Sequence, residues 1–299
     1  MRSITREPPR DGRALVDEGL RNEKGGNLAR AAQRYEAAID ASDDAALRAE
    51  ALVRLSSVHR ARCAWDQAIE AARRSAEVAA AARLECAFAE ALNAEAVVYQ
   101  QRGDFAAAAP LLERVLSVTT DERLQGLASQ NLGTIAARCG DFDEAARRFA
   151  DSVTHFRRAG HDWGEAVALV NASAAALDRA DWTGARDTAR DAQAAALRVG
   201  DHELLGVATL NVAEAAAKLG DFETAEEQAS EALGLFSSAD NPLRKAECLR
   251  LLGDVAAARA QADIARRCWE RGLEMATAAG AAPEIAQLRE RLDGSATTI

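Results

Sequence analysis

Three of the chain's seven asparagines, Asn131, Asn171 and Asn211, stand 40 residues apart. A carboxamide offers N–H donors and a carbonyl acceptor, so it can pair with the N–H and C=O of an extended backbone irrespective of that backbone's side chains. The residues around them differ, with Gln130, Val170 and Leu210 before and Leu132, Ala172 and Val212 after, so the asparagine recurs while its surroundings do not. Asn inside a helix costs about 0.5 kcal/mol relative to Ala, in a chain that uses Ala almost everywhere it can, so something must offset that cost. Two helical turns further on stand Arg138 and Lys218, with Asp178 interrupting the row, and Arg250 is a further candidate cation. Such cations complement acidic side chains or a free carboxylate. Cations near a helix C-terminus also serve as plain partners for the helix dipole.

The other reactive side chains are not spaced for catalysis. The sequence has no GxxxxGKS or GxxxxGKT, no GxGxxG after a strand, no HExxH and no GxSxG. His59 falls on a helix face expected to pack inward, and His155, His161 and His202 lack metal-ligand spacing. Glu223, Glu226 and Glu227 fall in the opening turns of a helix, where carboxylates suit the positive end of the dipole and face water. Cys63, Cys86, Cys139, Cys248 and Cys268 are odd in number and show no CxxC pairing, which predicts reduced packing thiols. The expectation is a protein that is not an enzyme, with no catalytic residues, no metal and no cofactor.

The elements that must position these groups follow from composition. Apolar residues make up 48% and charged residues 28% of the 299 residues, but aromatics only 4%. Abundant alanine favours close-packed helices over strands, which would want β-branched and aromatic residues. Five prolines, two of them Pro8 and Pro9, leave long stretches without a helix breaker. A net charge of −10 and a pI near 5.1 oppose a phosphate backbone, so no direct nucleic-acid partner is expected. Met1 to Arg13 has no apolar signal core, and no stretch reaches the roughly 18 apolar residues of a membrane span, which predicts no membrane partner and a cytoplasmic location.

An internal repeat organises the whole. Gly103-Asp104-Phe105, Gly140-Asp141-Phe142 and Gly220-Asp221-Phe222 are each followed, three residues after the Phe, by Ala108, Ala145 and Ala225. Weaker copies precede Ala31, Ala68, Ala185 and Ala265, and the seven alanines are separated by 37, 40, 37, 40, 40 and 40 residues. The Gly can close one helix in the left-handed conformation while the following Asp or Asn caps the next. Twelve residues before each alanine stands a small residue, Gly19, Ser56, Ala96, Gly133, Ser173, Ala213 or Gly253, so small is expected to face small where two helices cross. Trp65, Phe105, Phe142, Trp182 and Phe222 are expected to fill the gap against the neighbouring repeat.

These residues, best seen from Asn131-Leu132-Gly133 through Gly140-Asp141-Phe142-Asp143-Glu144-Ala145 to Phe149, resemble the tetratricopeptide repeat in its longer form of about 40 residues. The early Trp of that family is absent, its place taken by Leu15, Leu52, Leu92, Ser129, Leu169, Thr209 and Leu249, and Ala262 replaces an aromatic in the seventh copy. The resemblance implies an all-α, right-handed superhelical solenoid of seven helix-turn-helix repeats plus a C-terminal capping helix. The expected organisation is a flexible segment over 1–11, the solenoid over 12–282, and a capping helix with a flexible tail over 283–299.

With the recurring alanine numbered position 20, the resemblance places positions 2, 5, 6, 9, 12 and 13 on an inner surface that binds extended peptides or helices. Asn131, Asn171 and Asn211 share position 6, Arg138 and Lys218 share position 13, and Arg250 lies on the same side. These six are the candidate peptide-binding residues, and Asn93, one position out of register, is a possible further member. The asparagines could instead bond to the adjacent helix pair and fix repeat spacing. The implied function is a scaffold that recognises a protein or peptide. The alternative is a ligand- or peptide-sensing module, similar to the helical part of bacterial regulators. It would act through a separate output protein, because the stretch before Ala14 has room for no DNA-binding or ATPase segment.

Overall fold

In the computed structural model, which describes residues 11–238 and 241–296, the glycine-aspartate steps do what their chemistry dictates. Gly26, Gly103, Gly140 and Gly220 take φ of 75°, 80°, 80° and 81°, the left-handed conformation that ends a helix. The residue that follows then caps the next helix: the side chains of Asn27, Asp104, Asp141, Asp181 and Asp221 each accept a backbone N–H three residues on. Where the glycine is missing the backbone is unchanged, for Cys63, Ala180 and Ala260 hold φ of 57°, 60° and 59°.

Seven helix pairs result: α1 (Gly12–Lys24) with α2 (Leu28–Ala41), α3 (Ala45–Ala61) with α4 (Trp65–Ala81), α5 (Glu85–Gln101) with α6 (Phe105–Val118), and α7 (Glu122–Arg138) with α8 (Phe142–Ala159). The series continues with α9 (Asp162–Asp178) and α10 (Trp182–Val199), α11 (His202–Lys218) and α12 (Phe222–Ser238), and α13 (Pro242–Ala258) and α14 (Ala262–Ala278), before a last helix, α15 (Ala282–Ala296). The chain is thus an all-α solenoid of helix-turn-helix repeats, with no strand among the described residues. Residues 1–10 and 297–299 of the expected terminal segments lie outside them.

Packing divides the chain into an N-terminal unit ending at Ile135 and a C-terminal unit starting at Ala136. In the N-terminal unit, Leu15, Tyr35, Leu52 and Leu55 anchor one core, and Leu92, Leu112, Leu124 and Leu132 another. In the C-terminal unit Leu210, Phe236, Leu251 and Val255 form one core, and Trp269 with Leu288 of α15 forms another. All seven recurring alanines are buried to 1% exposure or less, as a tight crossing requires. At one crossing the small partner is tied directly to that alanine, Ser56 Oγ donating to the Ala68 carbonyl at 2.7 Å.

At two crossings the small residue lies against a large ring. A Cβ on Gly19 would lie 2.4 Å from the Tyr35 ring, and one on Gly253 would lie 2.3 Å from Trp269 Nε1. Glycine is present there because a large ring occupies the place of the methyl. The cysteines also depart from expectation: only Cys248 is buried, whereas Cys63, Cys86 and Cys139 are exposed near helix ends, where nothing packs over them.

Candidate functional site

The first helix of each pair carries the stripe on which the candidate residues were placed, and the stripe falls in two packing units. In the N-terminal unit Asn131 of α7 is part-buried and donates from Nδ2 to Oδ1 of Asn93 on α5 at 3.0 Å. The two carboxamides thereby link the first helices of adjacent repeats. Asn93 is the out-of-register asparagine, and a shift of one position brings it opposite Asn131.

In the C-terminal unit the two remaining asparagines differ. Asn211 of α11 is 8% exposed, and its Nδ2 donates to Ser173 Oγ at 2.8 Å and the Val170 carbonyl at 3.4 Å, both on α9. Asn211 is therefore committed to the spacing of repeats. Asn171 of α9 is half-buried, and its carboxamide has no hydrogen bond to any described residue. It retains the full donor and acceptor set that a peptide backbone needs.

The cations are also unequal. Arg138 is exposed at the end of α7. Lys218 is exposed at the end of α11, its Nζ 5.7 Å from the centre of the Trp182 ring. Arg250 of α13 is largely covered, and its Nε donates to Glu284 Oε1 of α15 at 2.7 Å. Its charge is thus answered within the protein. Asp254, one turn further along α13, receives Arg291 of α15 at 2.6 and 2.8 Å and the Trp269 indole N–H at 3.0 Å. These polar contacts fasten both α15 and α14 to α13.

Glu214, at position 9 of α11, has no hydrogen bond or ion pair among the described residues. Burial pushes its carboxyl above the usual range, opposed by Arg250 and Lys218 and reinforced by Asp178 and Glu247. Asp178 is likewise raised by desolvation. The stripe of the C-terminal unit therefore presents an uncommitted carboxamide, an exposed ammonium and a half-desolvated carboxylate. That combination can pair with a backbone and with side chains of either charge. Sequence reasoning missed Glu214, although the inner-position rule that selected the asparagines also selects it.

Among the described residues no group of three or more His, Cys, Asp or Glu is placed to hold a metal, and no helix is long and apolar enough to cross a membrane. The tetratricopeptide repeat family profile matches residues 91–125, the stretch from α5 into α7. A comparison with curated proteins gives no match. Among solved structures, one similar chain is a signal transduction ATPase with numerous domains and a tetratricopeptide repeat sensor from Pyrococcus horikoshii, at 12% identity and a TM-score of 0.77. The match covers 93% of this chain, which spans only 44% of that one. The apo form of RapI is similar at 12% identity and a TM-score of 0.70, over 93% of this chain and 79% of that one. The apo form of the quorum sensor NprR from B. thuringiensis follows at 14% identity and 0.66, over 87% and 75%. At these identities the likeness is one of fold.

Proposed function

We propose that this tetratricopeptide-repeat solenoid is a binding scaffold that recognises an extended peptide or a helix on the face lined by the first helices of its repeats. The observation that carries the proposal is the contrast between Asn211, bonded to Ser173, and Asn171, whose carboxamide is half-buried and uncommitted. A helix-interior Asn that contributes nothing to packing is a cost of about 0.5 kcal/mol unless a ligand uses it. Asn171 pairs with the ligand main chain, while Lys218 and Glu214 read a carboxylate and a donor group on its side chains. Asn131 and Asn211 hold the repeats in register beneath it. The test is co-purification with mass spectrometry to identify the partner, followed by its affinity for the wild type and for Asn171→Ala. Weaker binding by about tenfold with no loss of melting temperature supports the proposal, and unchanged affinity removes Asn171 from the site.

A second reading, a sensor that acts through a separate output protein, is favoured by the fold shared with the quorum sensor NprR and with the sensor-bearing ATPase. A partner that binds only when a peptide occupies the first-helix face would select this reading over a plain scaffold.

A further inference from the structure

His59 of α3 lies where α2 and α4 pack on that helix, beside Ile39, Leu55 and Ala71. It is 9% exposed, and its Nδ1 is closed to solvent with no hydrogen-bond partner. A neutral imidazole has one N–H and one bare nitrogen, so in either tautomer a polar atom is stranded at Nδ1. The repeat does not need an imidazole there: at the same position four later repeats carry Ala136, Ala176, Ala216 and Ala256, all buried.

A second proton makes this packing worse. An imidazolium must donate from both nitrogens, and a charged Nδ1–H would meet neither water nor an acceptor. Opposite charge is close by but does not bond to the closed nitrogen. Glu36 and Asp40 of α2 and Asp66 and Glu70 of α4 line the cleft above the ring, with Arg74 of α4 among them and Arg60 and Arg62 on α3 itself. The other two helices packed on α3 bring groups that are already answered: Glu23 of α1 receives the Tyr35 hydroxyl, and Glu95 and the C-cap Arg102 of α5 pair with Arg73 and Asp66. Burial holds the imidazole's pKa below its usual value, with Glu36 opposing the shift and Arg62 adding to it.

We propose that His59 is an acid-operated latch on the N-terminal repeats: the neutral ring lets α2 and α4 close on α3, and protonation opens that packing so that Nδ1 reaches water and the carboxylates of Glu36, Asp40 and Glu70. Imidazole is the side chain whose charge changes between about pH 5 and 8. A group whose folded pKa is lowered contributes stability that is present above its unfolded value of 6.5 and lost as pH falls through the folded one. The repeats that carry alanine at this position have no proton to take up there, so the opening is confined to α2, α3 and α4. The latch does not depend on the ligand site of the first-helix face.

The experiment is amide hydrogen exchange of the full chain at pH 7.5 and at pH 5.0, in the wild type and in His59→Ala, with each rate corrected for the chemical exchange rate at that pH. On acidification the opening constant of fragments from α2, α3 and α4 should rise about threefold or more further in the wild type than in the variant. Fragments from α10 and α12, in repeats that carry Ala176 and Ala216, should change equally in both proteins. An equal rise in the α2–α4 fragments of the two proteins, or a smaller one in the wild type, would overturn the proposal. The His59 ring of the wild type, assigned by NMR through the α3 backbone, gives a reading that needs no variant. It should titrate below pH 6.5, and titration at or above that value would overturn the proposal as well.

Discussion

Replacing Asn211 and Asn171 separately by alanine should move the melting temperature in opposite directions. Asn211 is buried and donates to Ser173 Oγ and the Val170 carbonyl. Ser173 Oγ itself still donates to that carbonyl at 2.8 Å, so the change strands no buried donor. The lost bonds are then worth an ordinary net contribution of about 1 kcal/mol, and the lost packing of the truncated side chain adds roughly 0.5 kcal/mol. Alanine's helix propensity returns about 0.5 kcal/mol, leaving a net loss of about 1 kcal/mol. Asn171 gives up no hydrogen bond, so its variant keeps only the propensity gain of about 0.5 kcal/mol. At roughly 2–4 °C per kcal/mol, the Asn211 variant should melt about 2–4 °C lower and the Asn171 variant about 1–2 °C higher. Circular dichroism at 222 nm on both variants in one buffer reads this difference. Equal destabilisation by the two changes would refute the division of the asparagines into a spacer and a free group.

Three further perturbations follow from the same geometry. Glu214→Gln should melt higher than the wild type at pH 7: a carboxyl whose folded pKa is raised contributes stability that is present below its unfolded value of about 4.5 and lost as pH rises through the folded pKa. The gap should close below pH 4.5, and a gap independent of pH would exclude the desolvated carboxylate as its cause. Ala180→Gly and Ala260→Gly should each stabilise by about 0.5–1 kcal/mol, because a left-handed alanine costs about 1–2 kcal/mol and glycine's larger unfolded-state entropy takes back part of it. A lower melting temperature in both would contradict the left-handed hairpin geometry. Gly253→Ala should lose about 1–3 kcal/mol, since the new methyl meets the Trp269 ring at 2.3 Å, and unchanged denaturant unfolding would place that ring elsewhere.

The repeat was legible because its signals are local. Gly103-Asp104, Gly140-Asp141 and Gly220-Asp221 state both the end of one helix and the cap of the next within two residues, and the hairpins form where they stand. Cys63, Ala180 and Ala260 carry no such signal and adopt the same turn because the helices packed on either side demand it. Spacing identified the Asn131, Asn171 and Asn211 register but not its use, since a carboxamide's partner is chosen across repeats. Ser173 lies 38 residues from Asn211 in sequence. The same reason hid the Arg250–Glu284 pair, which spans 34 residues and turns a candidate ligand cation into an internal contact. His59 was legible as an inward residue, but its stranded Nδ1 is a property of the α2–α3–α4 packing and of no motif.

Whether a peptide ligand binds on the first helices is read by amide hydrogen exchange of the full chain. The chain is followed with and without a peptide selected for binding from a random display library. The prediction is added protection in fragments from α9 and α11, around Asn171, Lys218 and Glu214, with α10, α12 and α14 unchanged. Protection confined to the second helices, with none on α9 or α11, would contradict it.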